Sequence, residues 1–263
     1  MPAAKPRILL TNDDGFDALG LRHLLAALED FAEVQVAAPL FNRSGSSYAL
    51  SLHDPVPVIR RGPQAIVAGT PADCVILALH REDFLPWRPD LTVSGINYGG
   101  NLGYDTLYSG TVAAAAESCK RGVPAVAFSS VCLPEGNFPP AHLEDAAQIA
   151  ARMVQKLLAG DGPPADLLNV NIPDLPADQV KEPLAAGLKK RHLPRPHVDL
   201  RREELHGLRS IRTSYNVSLA ASHDDGLDLD VVKRGHVAVT PLRLDVAAYD
   251  EIDTVAGWLR ELA

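Results

Sequence analysis

Short apolar runs alternate with helical spacings from the start of the chain as far as Phe128. Residues 7–10 form one such run, closed by the polar Thr11 to Asp14. Residues 17–28 then place Leu19, Leu21, Leu24, Leu25 and Leu28 at the spacing of one helical face. Residues 34–38, 65–68, 91–94 and 125–128 read as further strands, each near a helical pattern. Strands alternating with helices predict an α/β fold built on a doubly wound, mostly parallel, Rossmann-like sheet with right-handed crossovers. In such sheets ligands sit beyond the carboxyl ends of the strands.

Helix starts are also legible. Thr70-Pro71-Ala72-Asp73 puts a hydroxyl at an N-cap, proline at the first helical position and a carboxylate three residues after the cap, so Asp73 reads as structural. Beyond Phe128 the alternation weakens. Residues 143–158 look helical, 167–172 look like a strand, and 176–212 are rich in proline and charge. Residues 211–219 and 236–242 alternate like antiparallel strands, which predicts a β-hairpin appendage used for oligomerisation, and residues 250–262 close the chain with a helix. The expected organisation is a single α/β domain over 1–263, with a catalytic core over roughly 1–175 and the β-hairpin and C-terminal segment over 176–263.

The 263 residues are 46% hydrophobic and 22% charged, the ordinary mixture of a folded globular chain. A net charge of -8 argues against broad attraction to polymeric nucleic acid or anionic lipid, which clustered Lys and Arg would supply. The most basic stretch, 189–202, is broken by Pro194 and Pro196 and reads as a solvated loop. Cys74, Cys119 and Cys132 are too few and too irregularly spaced for a disulfide framework or thiolate zinc site, so they read as reduced thiols. The apolar run after Lys5 and Arg7 ends at Leu10, too short for a signal peptide or a membrane span; the expected location is the cytoplasm. No dinucleotide, P-loop, zincin or nucleophile-elbow motif occurs. His53, His223 and His236 read as surface or packing residues, and the acidic 224–230 stretch, lacking EF-hand spacing, as a solvated loop.

The strongest chemical signal is Thr11-Asn12-Asp13-Asp14-Gly15 at the end of the first strand. Two carboxylates ~4 Å apart repel by about 4 kcal/mol at an effective dielectric near 20 unless a cation or proton lies between them. The competing reading is a solvated turn, with Asp17 capping the next helix. Its company favours a metal. The small-residue loop 42–47 can offer a hydroxyl oxygen at the same sheet edge, and Ser94-Gly95-Ile96-Asn97 opens a long loop with glycines at 99, 100 and 103. Asn97 supplies a carbonyl oxygen and Asn101 a second amide. Two carboxylates, a hydroxyl and an amide form a hard-ligand set suited to Mg²⁺ or Mn²⁺, with positions left for water and a phosphate oxygen. Ser109-Gly110-Thr111 leads into an alanine run, so the free amides of a helix start form a phosphate cradle; an ordinary serine N-cap explains the residues but not the long loop before them.

Asn12-Asp13-Asp14-Gly15, Asn42-Arg43-Ser44-Gly45, Gly69-Thr70-Pro71-Ala72-Asp73-Cys74, Ser94-Gly95-Ile96-Asn97, Asn101-Leu102-Gly103, Tyr108 to Ala115 and Val239-Thr240-Pro241-Leu242 occur in one order over nearly the whole length. In these motifs the chain closely resembles the SurE stationary-phase survival proteins. The resemblance implies a metal-dependent nucleotidase that hydrolyses nucleoside 5′- and 3′-monophosphates, with broader phosphatase and exopolyphosphatase activity, built as a homodimer or homotetramer. It also implies one divalent ion per subunit, Mg²⁺ or Mn²⁺, on Asp13, Asp14, Ser44 and Asn97, the ligand types already assembled from strand ends. Asp13 or Asp14 would orient the attacking water, and Asn101, Ser109, Gly110 and Thr111 would bind phosphate. The sequence departs from the family pattern at 223–230, which is longer in acidic residues. A rival reading from another class is a non-catalytic nucleotide-sensing or assembly protein, and a third is a glycosyl-transferring α/β enzyme.

Overall fold

A computed structural model describes residues 5–81, 84–132, 139–189, 197–199, 204–205, 208–209, 212–214 and 226–260. Strand β1 (Arg7–Thr11) is buried from Ile8 onward, on both faces alike. Ile8 and Leu10 pack into one apolar cluster and Leu9 into another, as in a strand covered by helices above and below. Next come α1 (Leu19–Glu29), β2 (Glu33–Pro39), the antiparallel pair β3 (Val58–Arg61) and β4 (Gln64–Val67), α2 (Pro71–His80) and β5 (Leu91–Tyr98). Then follow α3 (Gly110–Lys120), β6 (Ala125–Val131), α4 (Leu143–Leu158) and β7 (Leu167–Pro173). Helices α1 and α4 cover one face, with Leu21, Leu24 and Leu28 packed among Ala146, Ala150 and Val154. The other face carries α2 and α3, where Cys74, Val75, Ala78 and Ala114 meet Leu9, Ala37 and Val67.

The chain steps outward from β1 to β2 and β4, then returns to the other side of β1 and continues through β5, β6 and β7, all parallel. This reversal makes the β1/β5 boundary the topological switch point, where loops diverge and leave a crevice at the carboxyl edge. The doubly wound expectation holds. Helix α2 begins as its sequence predicts: Thr70 Oγ1 accepts from Asp73 N at 3.2 Å and Asp73 Oδ2 accepts from Thr70 N at 2.9 Å.

The C-terminal expectation needs correcting. After β8 (Lys181–Ala185) come two short ladders, β9 (His197–Asp199) and, inside it, β10 (Glu204–Leu205) paired with β11 (Leu208–Arg209), closed by β12 (Arg212–Ser214) on β9. A hairpin therefore exists, but its outer strand within 211–219 pairs with 197–199. After α5 (Asp228–Lys233), β13 (His236–Pro241) joins the main sheet, antiparallel to β7 and parallel to β8, giving the nine-strand order β3-β4-β2-β1-β5-β6-β7-β13-β8. The alternation over 236–242 marks an antiparallel strand correctly but names no neighbour; Val237 and Ala238 are buried on opposite faces of the main sheet. Residues 211 and 215–219 lie outside the described residues.

The solvated-loop readings of 224–230 and 189–202 are also overturned where the structure describes them. Asp228 is 0% exposed, and Lys189 Nζ meets Asp230 Oδ2 at 2.7 Å with both side chains largely buried. Packing of Leu229, Val231 and Val232 against Leu102, Val131 and Ala238 draws these charges inward. Asp224, Asp225 and His223 lie outside the described residues. The closing helix, α6 (Ile252–Arg260), buries none of its residues and exposes Ile252, Val255, Trp258 and Leu259. Among the described residues no helix is long and apolar enough to cross a membrane.

Candidate active site

The register of β1 against β5 aligns Thr11 with Ser94, so Asp14, just past the end of β1, comes beside the last residues of β5, Asn97 and Tyr98. The β5/β6 register shifts between Ser94 and Asn97, an irregularity of the kind that re-aims side chains at sheet rims. Tyr98 N donates to Asp14 Oδ2 at 2.9 Å, which locks the two strand ends together. Asn97 Nδ2 donates to Gly99 O at 2.8 Å, leaving the Asn97 carbonyl oxygen for another partner. Asn42 Nδ2 reaches Asp14 Oδ1 at 3.4 Å, while Asn42 Oδ1 accepts from Ser44 N at 2.8 Å. The loop after β2 is thus tied to the carboxylates through Asn42.

Asp13, 3% exposed, faces the start of α3. Thr111 Oγ1 donates to Asp13 Oδ1, and the backbone N–H groups of Gly110 and Thr111 also favour its charged form. Position 110 admits only glycine. A Cβ there would lie 2.7 Å from Asp13 Cβ, 2.8 Å from Asp13 Oδ2 and 3.0 Å from Ser46 Oγ. The positive end of the helix dipole is therefore brought against the buried carboxylate with no side chain between them.

Burial pushes the Asp13 carboxyl above its ordinary value, opposed by the Thr111 hydroxyl and the α3 amides. Asp14 is pushed up to about 7, first by burial and then by repulsion from Asp13, with the Tyr98 N–H pulling the other way. The pair is short of positive charge at neutral pH. Among the described residues no three His, Cys, Asp or Glu side chains gather as a metal cage, so a cation here would rely on amide and hydroxyl oxygens beside the two aspartates. Such oxygens are present: the Asn97 carbonyl, and the buried Asn12 Oδ1 and Ser46 Oγ, neither of which has a hydrogen-bond partner. The donor set fits a hard divalent ion.

Of the residues singled out in the sequence, Asp13, Gly110 and Thr111 touch one another, and Asp14 lies against the backbone that follows Asn97. Ser44 is exposed and, among the described residues, linked to Asp14 through Asn42. Ser109 Oγ accepts from Val112 N at 3.0 Å, so the serine is an N-cap whose hydroxyl proton remains free to donate. Asn101 is buried, with Nδ2 donating to Ser129 Oγ at 2.7 Å. Sequence reasoning missed Asn42 and Ser46. Both stand in the loop it singled out, but residue type alone does not say which hydroxyl turns inward. A cleft of about 1050 Å³ between Arg7, Asp90 and Asp166 lies at the opposite edge, against the amino ends of β1, β5 and β6, away from these groups.

Residues 8–194 match the family model described as survival protein SurE. The chain is 42% identical to a protein named 5′-nucleotidase SurE from Alkalilimnicola ehrlichii, over 97% of this chain and 96% of the relative. It is 40% identical to one of the same name from Pelobacter propionicus, over 96% and 99%. The crystal structure of the Sure protein from Aquifex aeolicus superposes with a TM-score of 0.81 at 33% identity, covering 97% of this chain and all of that one. With the family model spanning most of the sheet and such relatives aligned from end to end, the chain belongs to the SurE family.

Proposed function

We propose that the chain is a 5′-nucleotidase, a metal-dependent phosphomonoesterase that converts nucleoside 5′- and 3′-monophosphates to nucleoside and phosphate, with broader phosphatase and exopolyphosphatase activity. The observation that carries this reading is the pair Asp13 and Asp14 at the switch point, one facing the α3 N-terminus and the other beside Asn97. The relatives named 5′-nucleotidase support the substrate class. Asp13, Asp14, Ser44 and Asn97 would hold one Mg²⁺ or Mn²⁺ per subunit. Bound there, the ion would neutralise charge on the phosphoryl group and lower the barrier to attack by water. The Ser109 hydroxyl, the Gly110 and Thr111 amides and Asn101 bind the remaining phosphate oxygens, and Asp13 or Asp14 orients the water in line with the leaving oxygen. We further propose a homodimer or homotetramer acting in the cytoplasm, with α6 and the hairpin as the assembling parts of a C-terminal segment over 176–263.

The test is phosphate release from AMP by the purified chain, in EDTA and then with Mn²⁺ or Mg²⁺ restored. Release that depends on the ion supports the reading. Binding of AMP without release under every ion would establish the non-catalytic sensor instead.

A further inference from the structure

The loop from Gly99 to Ser109 carries Asn101 and Ser109 of the proposed phosphate-binding set and leads into Gly110 and Thr111, yet its deepest anchors come from elsewhere in the chain. Asn101 N donates to Asn171 Oδ1 at 2.9 Å, and Asn101 O accepts from Asn169 Nδ2 at 2.8 Å and Asn171 Nδ2 at 3.1 Å. Two residues on, Gly103 N donates to Asp228 Oδ2 at 2.6 Å. The other oxygen of Asp228 accepts from Lys189 N at 3.0 Å and from Leu229 N at 2.8 Å. The two strands of chain that meet here are also joined directly, Gly187 N donating to Gly226 O at 3.0 Å and Asp228 N to Gly187 O at 2.8 Å. Gly103, at φ +56°, sits so close that a Cβ would fall 2.0 Å from Lys189 O.

A carboxylate removed from water is costly unless several donors meet it, and here three backbone amides from three segments do so. Nothing about capping the short helix α5 requires a reach to Gly103, 125 residues earlier in the chain. We propose that Asp228 is a positioning residue for phosphate binding: it locks the Gly99 to Ser109 loop to the segments 187–189 and 226–229, and so sets where the start of α3 meets the substrate. This rests on the phosphatase reading above.

The experiment compares Asp228→Asn with the wild-type chain. The variant replaces one acceptor oxygen by an amide that confronts backbone N–H groups. Inhibition by inorganic phosphate and KM for AMP should each weaken about tenfold, the share of one charge-assisted hydrogen bond. The Mn²⁺ concentration for half-maximal rate should stay within about twofold, because Asp228 bonds Gly103, Lys189 and Leu229 and not Asp13 or Asp14. A purely structural role would lower kcat through a smaller folded fraction and leave both phosphate constants unchanged, and that result overturns the proposal. Should the variant not fold, hydrogen exchange on the wild-type chain decides. Adding Mn²⁺ and inorganic phosphate should slow exchange at Gly103, Lys189 and Leu229 together; slowing confined to residues 109–112 overturns the coupling. Absence of phosphate release by the wild-type chain from any nucleotide is a different failure. It removes the phosphatase reading and the proposal with it.

Discussion

Asp228 and the pair Asp13 and Asp14 are treated in opposite ways, although the first is bonded to the loop that follows β5 and Asp14 to the last residue of β5. Asp228 receives three backbone N–H groups, from Gly103, Lys189 and Leu229. Asp14 receives one, from Tyr98, supplemented by a long contact from Asn42, and stands beside a second carboxylate. The first arrangement completes the coordination of a charge with protein donors and leaves nothing to bind. The second sets two carboxylates side by side with fewer donors and a charge that a proton or a cation would offset. The contrast separates an aspartate whose donors the fold supplies from one whose donors it does not. Perturbed groups in a crevice mark a site because their deficit is supplied by a ligand.

The largest effect should come from removing the deficit. With Asp14→Asn, phosphate release from AMP at saturating Mn²⁺ should fall by roughly 1000-fold, the scale of a lost electrostatic contribution in a site of this kind. A turnover near wild type would place the chemistry elsewhere. Next comes the close approach that serves Asp13. Gly110→Ala inserts a methyl group 2.7 Å from Asp13 Cβ and 2.8 Å from Asp13 Oδ2, so the buried Asp13 side chain must shift. Activity should drop by about 100-fold, and overpacking should cost about 1–3 kcal/mol in urea unfolding. An active Gly110→Ala enzyme would show that α3 and Asp13 need not touch.

A third effect distinguishes the two kinds of aspartate by pH. Asp14 has its carboxyl pushed up to about 7 from 3.8, so between those values the folded chain holds a proton that the unfolded chain has lost. Its contribution to stability therefore falls as pH rises from about 4 to about 7, and the cost is complete above that range. In EDTA, Asp14→Asn should be more stable than wild type by roughly 2 kcal/mol at pH 8, after allowance for partial solvent screening, with the gap closing toward pH 4. Added Mn²⁺ should reverse the order. A gap independent of pH would mean that the substitution acts through packing and not through charge.

The carboxylate pair was legible because its conflict is local: two adjacent aspartates at the end of an apolar run declare themselves without knowledge of the fold. The parallel core was legible for a similar reason, since each strand contains a short, mostly apolar run and the helices between them show helical spacing. What could not be read is pairing at long range. Period-two alternation in 236–242 reports which residues share a face, not that β7 and β8 lie on either side. Asp228 looked like one more acid in an acidic stretch because its partner Gly103 stands 125 residues away. The choice among the hydroxyls of Ser44, Ser46 and Ser47 depended on a loop conformation, not on composition.

The smallest effect tests the aspartate that was read correctly from sequence alone. Asp73 closes the capping box of α2 and also accepts from Ser51 N at 3.1 Å and Ser51 Oγ at 2.7 Å, tying the loop after β2 to that helix. Like Asp228, it is surrounded by donors. Asp73→Ala should therefore cost about 1 kcal/mol of stability, as the loss of a cap does, with KM for AMP and the Mn²⁺ requirement close to wild type. A change in the Mn²⁺ requirement larger than the change in stability would assign the Ser51 contact a different weight. It would mean that α2 holds the 42–47 loop, and with it Asn42 against Asp14, through this single carboxylate.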